Sequence, residues 1–149
     1  MMMMTQSIPA RFDETRPFLA VNIAVLTVSD TRTAETDKSG DALAAMIEAD
    51  GHLVAHRLIL KDDADVIAAQ LDVWISDPTI DCIITTGGTG VTGRDVTPEA
   101  FDRVLEKKID GFGEMFRWLS FQMIGTSALQ SRAVGGVSQG TYMFALPGS

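Results

Sequence analysis

Two adjoining segments of this chain concentrate residue types that handle phosphate. The first is Thr85-Thr86-Gly87-Gly88-Thr89-Gly90. Its glycines permit positive φ and close approach of a ligand, and successive main-chain N–H groups can form an anion-binding nest. The hydroxyls of Thr86 and Thr89 add donors. The segment lacks the Gly-Lys-Ser/Thr of a Walker A loop and does not open directly into a helix as a dinucleotide fingerprint does. It also suits a plain strand-to-helix turn. The second is Arg94-Asp95-Val96-Thr97-Pro98, which sets a carboxylate beside the presumed phosphate site. Carboxylate and phosphate repel unless a cation intervenes. Mg²⁺ held by one or two carboxylates, phosphate oxygens and water answers that need. Asp95 serves equally as a partner for a helix N-terminus.

Further carboxylates stand where strands should end. Asp62 and Asp63 follow LVAHRLIL; the simple account makes Asp63 a helix N-cap and Asp62 its solvated neighbour. Ser29 and Asp30 close VLTV as a turn or as ligand-facing residues. His52 and His56 have no partners at metal-binding spacing and read as surface residues. No Ser-His-Asp set and no Cys/His cluster is visible.

The elements that must carry these residues read clearly. Residues 21–28, nearly all apolar, suit a strand buried on both faces, and 53–60 and 81–86 read as the second and third strands. Between them, one helix capped by Ser39 shows Leu43, Met46 and Ile47 on a face and ends at Gly51, and another runs from Asp63 to about Ser76. Strand alternating with helix predicts a parallel sheet with right-handed crossovers, whose strand ends share one edge where ligands bind. Thr97 as cap with Pro98 in the first turn predicts a third helix. A fourth spans about 112–124, its Met115, Phe116, Leu119 and Met123 stripe expected on the sheet, Trp118 and Phe121 elsewhere. Residues 134–137 and 142–146 predict two further strands. The expected fold is therefore α/β, a three-layer α/β/α sandwich around a mostly parallel sheet. Residues 1–17 are expected to form a mobile arm and 18–149 a single domain. With nothing covering the last strand, a tail is expected beyond Ser149.

Gross composition narrows the function. The chain has 149 residues and a formal net charge of −8, which disfavours nucleic acid and anionic membranes. Its single cysteine, Cys82, lies in an apolar run, reads as a structural thiol and points to a reducing compartment, the cytoplasm. No run approaches a membrane span, and the N-terminal segment lacks the apolar stretch of a secretion signal.

The motifs together resemble a known family. TTGGTG followed by RDVTPEA, SDTR after the first strand, GFGE at 111–114, SRAVGGV at 131–137 and LPGS at 146–149 resemble the molybdenum cofactor biosynthesis family of MoaB and MogA, which includes the gephyrin G domain. The similarity covers essentially 18–149, and the stretch from Gly113 to Val137 is closer to the MoaB branch. The resemblance implies binding of molybdopterin, a phosphorylated pterin dithiolene, and adenylylation of it by Mg-ATP with release of pyrophosphate. It implies catalytic, metal-holding roles for Asp62 and Asp95. Substrate contacts are implied at Ser29, Asp30, Thr86, Gly87, Gly88, Thr89, Gly90, Pro147, Gly148, Ser149 and Ser131, the last with this chain one residue longer just before it. Homo-trimers or homo-hexamers and a molybdenum-insertion partner are implied as well, as is a C-terminal helix beyond LPGS. A non-catalytic pterin-binding or scaffold protein of the same pathway is the alternative.

Overall fold

The structure, a computed structural model, describes residues 13–148. Most of the expected arm (1–12) and Ser149 lie outside the described residues. In chain order the elements are β1 (Asn22–Val28), α1 (Lys38–Ala49), β2 (Leu53–Leu60), α2 (Ala64–Ile75), β3 (Cys82–Thr86), α3 (Thr97–Val104), β4 (Lys107–Lys108), α4 (Asp110–Ile124), a 3-10 helix (Gly125–Gln130), β5 (Val134–Ser138) and β6 (Thr141–Leu146). The six strands form one sheet in the order β2-β1-β3-β6-β5-β4. β2, β1, β3 and β6 are parallel, while β5 and β4 are added antiparallel. The fold is α/β, as the sequence leads one to expect.

Both faces of β1 are apolar because helices cover both. On one side Ala24, Leu26 and Val28 meet Ile67, Leu71 and Trp74 of α2 and Phe101 of α3. On the other, Ile23 and Val25 meet Ile47 of α1. β5 and β6 join through Gln139 and Gly140, at φ 49 and 82. A two-residue turn with both φ positive matches the twist of the flanking strands.

The helix starts depart from the sequence reading in instructive ways. α1 is capped by Asp37, not Ser39. The Asp37 carboxylate accepts from the Gly40 N–H at 2.9 Å and the Thr27 hydroxyl at 2.8 Å, and pairs with Arg57 at 3.1 Å. A carboxylate makes the stronger, charge-assisted cap, and the Ser39 hydroxyl donates to the Gly148 carbonyl at 2.5 Å. Asp63 caps α2 as expected, accepting from the N–H groups of Asp65 and Val66. Thr97 opens α3 but does not cap it.

The α4 stripe is also corrected. Met115, Leu119 and Met123 are exposed, and only Gly113 of this helix is buried. α4 docks through its first turns: Phe112 lies against Phe144 with ring centroids 4.8 Å apart, and a Cβ on Gly113 would come within 2.8 Å of the Ala133 carbonyl oxygen. The helix contacts both β5 and the 3-10 helix that follows it. β4 and the 3-10 helix are too short to give a periodic signal.

Candidate functional site

Register brings the strand ends to one rim. Val28 pairs with Leu60, Thr27 with Thr86, and Thr86 with Leu146. The segments that follow are tied together across the rim. The Ser29 N–H donates to the Leu60 carbonyl at 2.8 Å, and the Gly87 N–H to Leu146 at 2.9 Å. The Asp62 N–H donates to Asp30 Oδ1 at 3.0 Å, and the Thr86 hydroxyl to the Pro147 carbonyl at 3.2 Å.

The glycine-rich loop is held by its carbonyls. Gly87 O accepts from the Thr97 hydroxyl at 2.9 Å, and Gly88 O from the Thr97 N–H at 3.1 Å. Thr89 O accepts from the Arg132 N–H at 3.0 Å, and Gly90 O from Arg132 Nε at 2.7 Å. Gly87 and Gly88 have φ of 99 and 72, values that a side chain disfavours. A Cβ on Gly88 would strike the Thr97 hydroxyl, and one on Gly87 the Val28 carbonyl. Among the described residues, no acceptor takes the N–H groups of Gly88 and Thr89.

Asp62 and Asp95 flank this loop. A Cβ on Gly88 would lie 3.3 Å from Asp62 Oδ1, and one on Gly90 would lie 2.8 Å from Asp95 Oδ2. Burial, then the charge of Asp95, raises the Asp62 pKa above the usual carboxylate value. Asp95 is shifted the other way, chiefly by the Thr92 hydroxyl, which donates to Oδ2 at 2.7 Å alongside the Thr92 N–H at 2.9 Å. Two acids whose charges oppose each other suit a cation between or beside them. Among the described residues no three His, Cys, Asp or Glu side chains converge as a metal-holding group, so a metal here would need ligand oxygens and water to complete its shell, the habit of Mg²⁺. Arg94 pairs with Asp30 instead of reaching the loop.

A cavity of about 570 Å³ opens beside the loop. Gly87–Gly90, Asp95, Ser131, Pro147 and Gly148 line its polar part, and Phe116, Met123 and Ile124 its apolar part. Among the described residues, the buried Ser131 hydroxyl has no partner. Ser29 and Thr86 face a smaller hollow of about 120 Å³ that shares Gly87 and Gly148 with the first. Asp30 and Asp62 line neither. Cys82 stays outside the site, its thiol pushed up to about 11 by burial.

A family profile described as "Probable molybdopterin binding domain" matches residues 24–149. The chain is 46% identical over 132 residues to "Molybdenum cofactor biosynthesis protein B" of Escherichia coli (strain K12), covering 89% of this chain and 78% of that protein. The chain belongs to the molybdenum cofactor biosynthesis family of MoaB and MogA. A crystal structure of molybdenum cofactor biosynthesis protein B superposes with a TM-score of 0.86 at 43% identity, over 90% of this chain and 84% of that one. The Mog protein of molybdopterin biosynthesis from Mycobacterium ulcerans gives 0.77 at 30% identity, over 88% and 84%.

Within this MoaB/MogA chain, three residues shape the site without having stood out in the sequence. Thr97 and Arg132 hold the loop carbonyls. Arg117, from α4, donates to the carbonyls of Ser131 at 3.3 Å and Ala133 at 3.0 Å, fixing the backbone beneath the Ser131 hydroxyl. Thr97 sits in the RDVTP motif but was read as a cap. Arg132 lies inside SRAVGGV, and the only hint was its place in that motif.

Proposed function

We propose that this protein binds molybdopterin in the large cavity and adenylylates it with Mg-ATP. The carrying observation is the pair of unclaimed amides at Gly88 and Thr89 beside two mutually repelling carboxylates. In the reaction, an oxygen of the terminal pterin phosphate attacks the α-phosphorus of ATP, the bond to the bridging oxygen breaks, and pyrophosphate leaves. Two polyanions must be brought together, so positioning and charge neutralisation dominate. The loop amides would hold a phosphate, and the Ser131 hydroxyl would add a donor. Phe116, Met123 and Ile124 offer an apolar wall for a flat heterocycle. Asp62 and Asp95 would hold Mg²⁺, which supplies charge neutralisation on the nucleotide. Ser29 and Thr86, with Pro147 and Gly148, would frame the second substrate across the shared glycines.

The same reading makes 18–149 the working unit, assembled as a homo-trimer or homo-hexamer in the cytoplasm and passing product to a molybdenum-insertion protein. No helix among the described residues is long and apolar enough to cross a membrane.

Purified protein given Mg-ATP and molybdopterin should release pyrophosphate, and EDTA should stop it. Asp95→Asn should slow release by about a hundredfold or more, the scale seen when one charge-stabilising group is lost. Pterin binding without any nucleotide turnover would instead assign the chain as a binding or scaffold protein of the pathway.

A further inference from the structure

Planarity of the peptide links each carbonyl to the next residue's N–H, which points the opposite way. The four carbonyls from Gly87 to Gly90 are all claimed, two by Thr97 and two by Arg132. Thr97, on the Gly87 and Gly88 carbonyls, turns the amides of Gly88 and Thr89 to the other side; Arg132 holds the Thr89 carbonyl through its main-chain N–H and the Gly90 carbonyl through Nε, where the loop leaves. Arg132 goes further: its Nη2 donates to the Asp95 carbonyl at 2.8 Å and to Glu99 Oε1 at 3.1 Å, and its Nη1 meets Glu99 Oε2. One guanidinium thus joins the glycine loop, the Asp95 segment and the first turn of α3. Of its five N–H donors, four are used within the protein, which leaves almost nothing for a ligand.

We propose that Arg132 is a positioning residue of the anion site, anchored by Glu99, which clamps the exit of the loop at the Gly90 and Asp95 carbonyls so that the Gly88 and Thr89 amides turned outward by Thr97 stay facing phosphate. The inference rests on the transferase reading for the identity of that phosphate, but its test does not. A direct phosphate-binding arginine would be replaced tolerably by lysine, a point charge that also binds phosphate. A positioning arginine would not, because lysine cannot span the Gly90 and Asp95 carbonyls with a rigid fork.

The probe is inorganic pyrophosphate, titrated by calorimetry into the whole chain, with amide NMR shifts of Gly88 and Thr89 as the second readout. Arg132→Gln and Arg132→Lys should both bind about tenfold to a hundredfold more weakly, in line with misaligned bonds to a charged ligand, and both should lose the ligand-induced shifts of those two amides. Glu99→Gln should weaken binding in the native background and change nothing further once Arg132 is Gln. Native-like binding by the lysine variant overturns the proposal, and so does an unchanged affinity in folded Arg132→Gln. Should the Gln variant fail to fold, Arg132→Lys and Glu99→Gln decide alone. Wild-type protein whose pyrophosphate binding depends on Arg132 yet never turns over Mg-ATP would sink the transferase reading and leave this one standing.

Discussion

Asp62 and Asp95 border the same loop, but their surroundings shift them in opposite directions. Asp62 carries its charge against burial and against Asp95, so its folded pKa lies above the unfolded one. Above both values the ionised group costs stability, and the cost disappears as pH falls below the ordinary carboxylate pKa of about 3.9. Asp62→Asn should therefore raise the melting temperature at neutral pH, and the gain should vanish in acid. Asp95 is held low by Thr92, so its contribution is present above the ordinary value and lost as pH falls through the lowered pKa. Asp95→Asn should lower the melting temperature at neutral pH, with the deficit closing in acid. Because part of the Asp62 shift comes from Asp95, the gain from Asp62→Asn should shrink in the Asp95→Asn background. Both single variants should lose pyrophosphate release. Thermal unfolding from pH 7 downward, set beside turnover, reads all of this. A stability gain accompanied by lost activity is what a carboxylate kept for chemistry produces.

At the scale of elements, the loop between β3 and α3 is specified by what its backbone must avoid. Gly88→Ala would place a methyl on the Thr97 hydroxyl at a φ of 72, a strain on the order of 1–2 kcal/mol, and it should weaken pyrophosphate binding as well. Gly93→Ala is the matched control, since its Cβ would meet nothing within 4 Å and surface changes of that kind stay within about 0.5 kcal/mol. Urea unfolding of the two variants separates them. The strands that feed this loop were legible in the sequence because apolar runs ending in Asp or Gly leave little else to form, and parallel pairing then obliges Ser29, Asp62, Gly87 and Pro147 to share a rim. The α4 error has an equally physical origin: helical period reveals an apolar stripe but not what covers it. The loop-holding roles of Thr97 and Arg132 escaped notice because both act on main-chain carbonyls, and a carbonyl leaves no mark in the residue types.

For the whole molecule, α4 is the place where assembly and ligand binding meet. Phe116 and Met123 wall the large cavity, while Trp118, Leu119 and Phe121 of the same helix remain exposed. A second copy of the chain covering that face would bury the aromatic and aliphatic groups and steady the cavity wall in one step. Each subunit carries a net charge of −8, so like charges oppose association and salt should favour it by screening them. Sedimentation should then show multiples of 16.1 kDa, three or six chains, with the larger species gaining as ionic strength rises. Phe121→Glu combined with Leu119→Glu touches no residue of the cavity lining, yet it should release monomers. The same double variant should bind molybdopterin more weakly, because the exposed face of α4 backs the cavity wall that Phe116 and Met123 form. Wild-type monomers with full pterin affinity would show that the exposed face of α4 has another use.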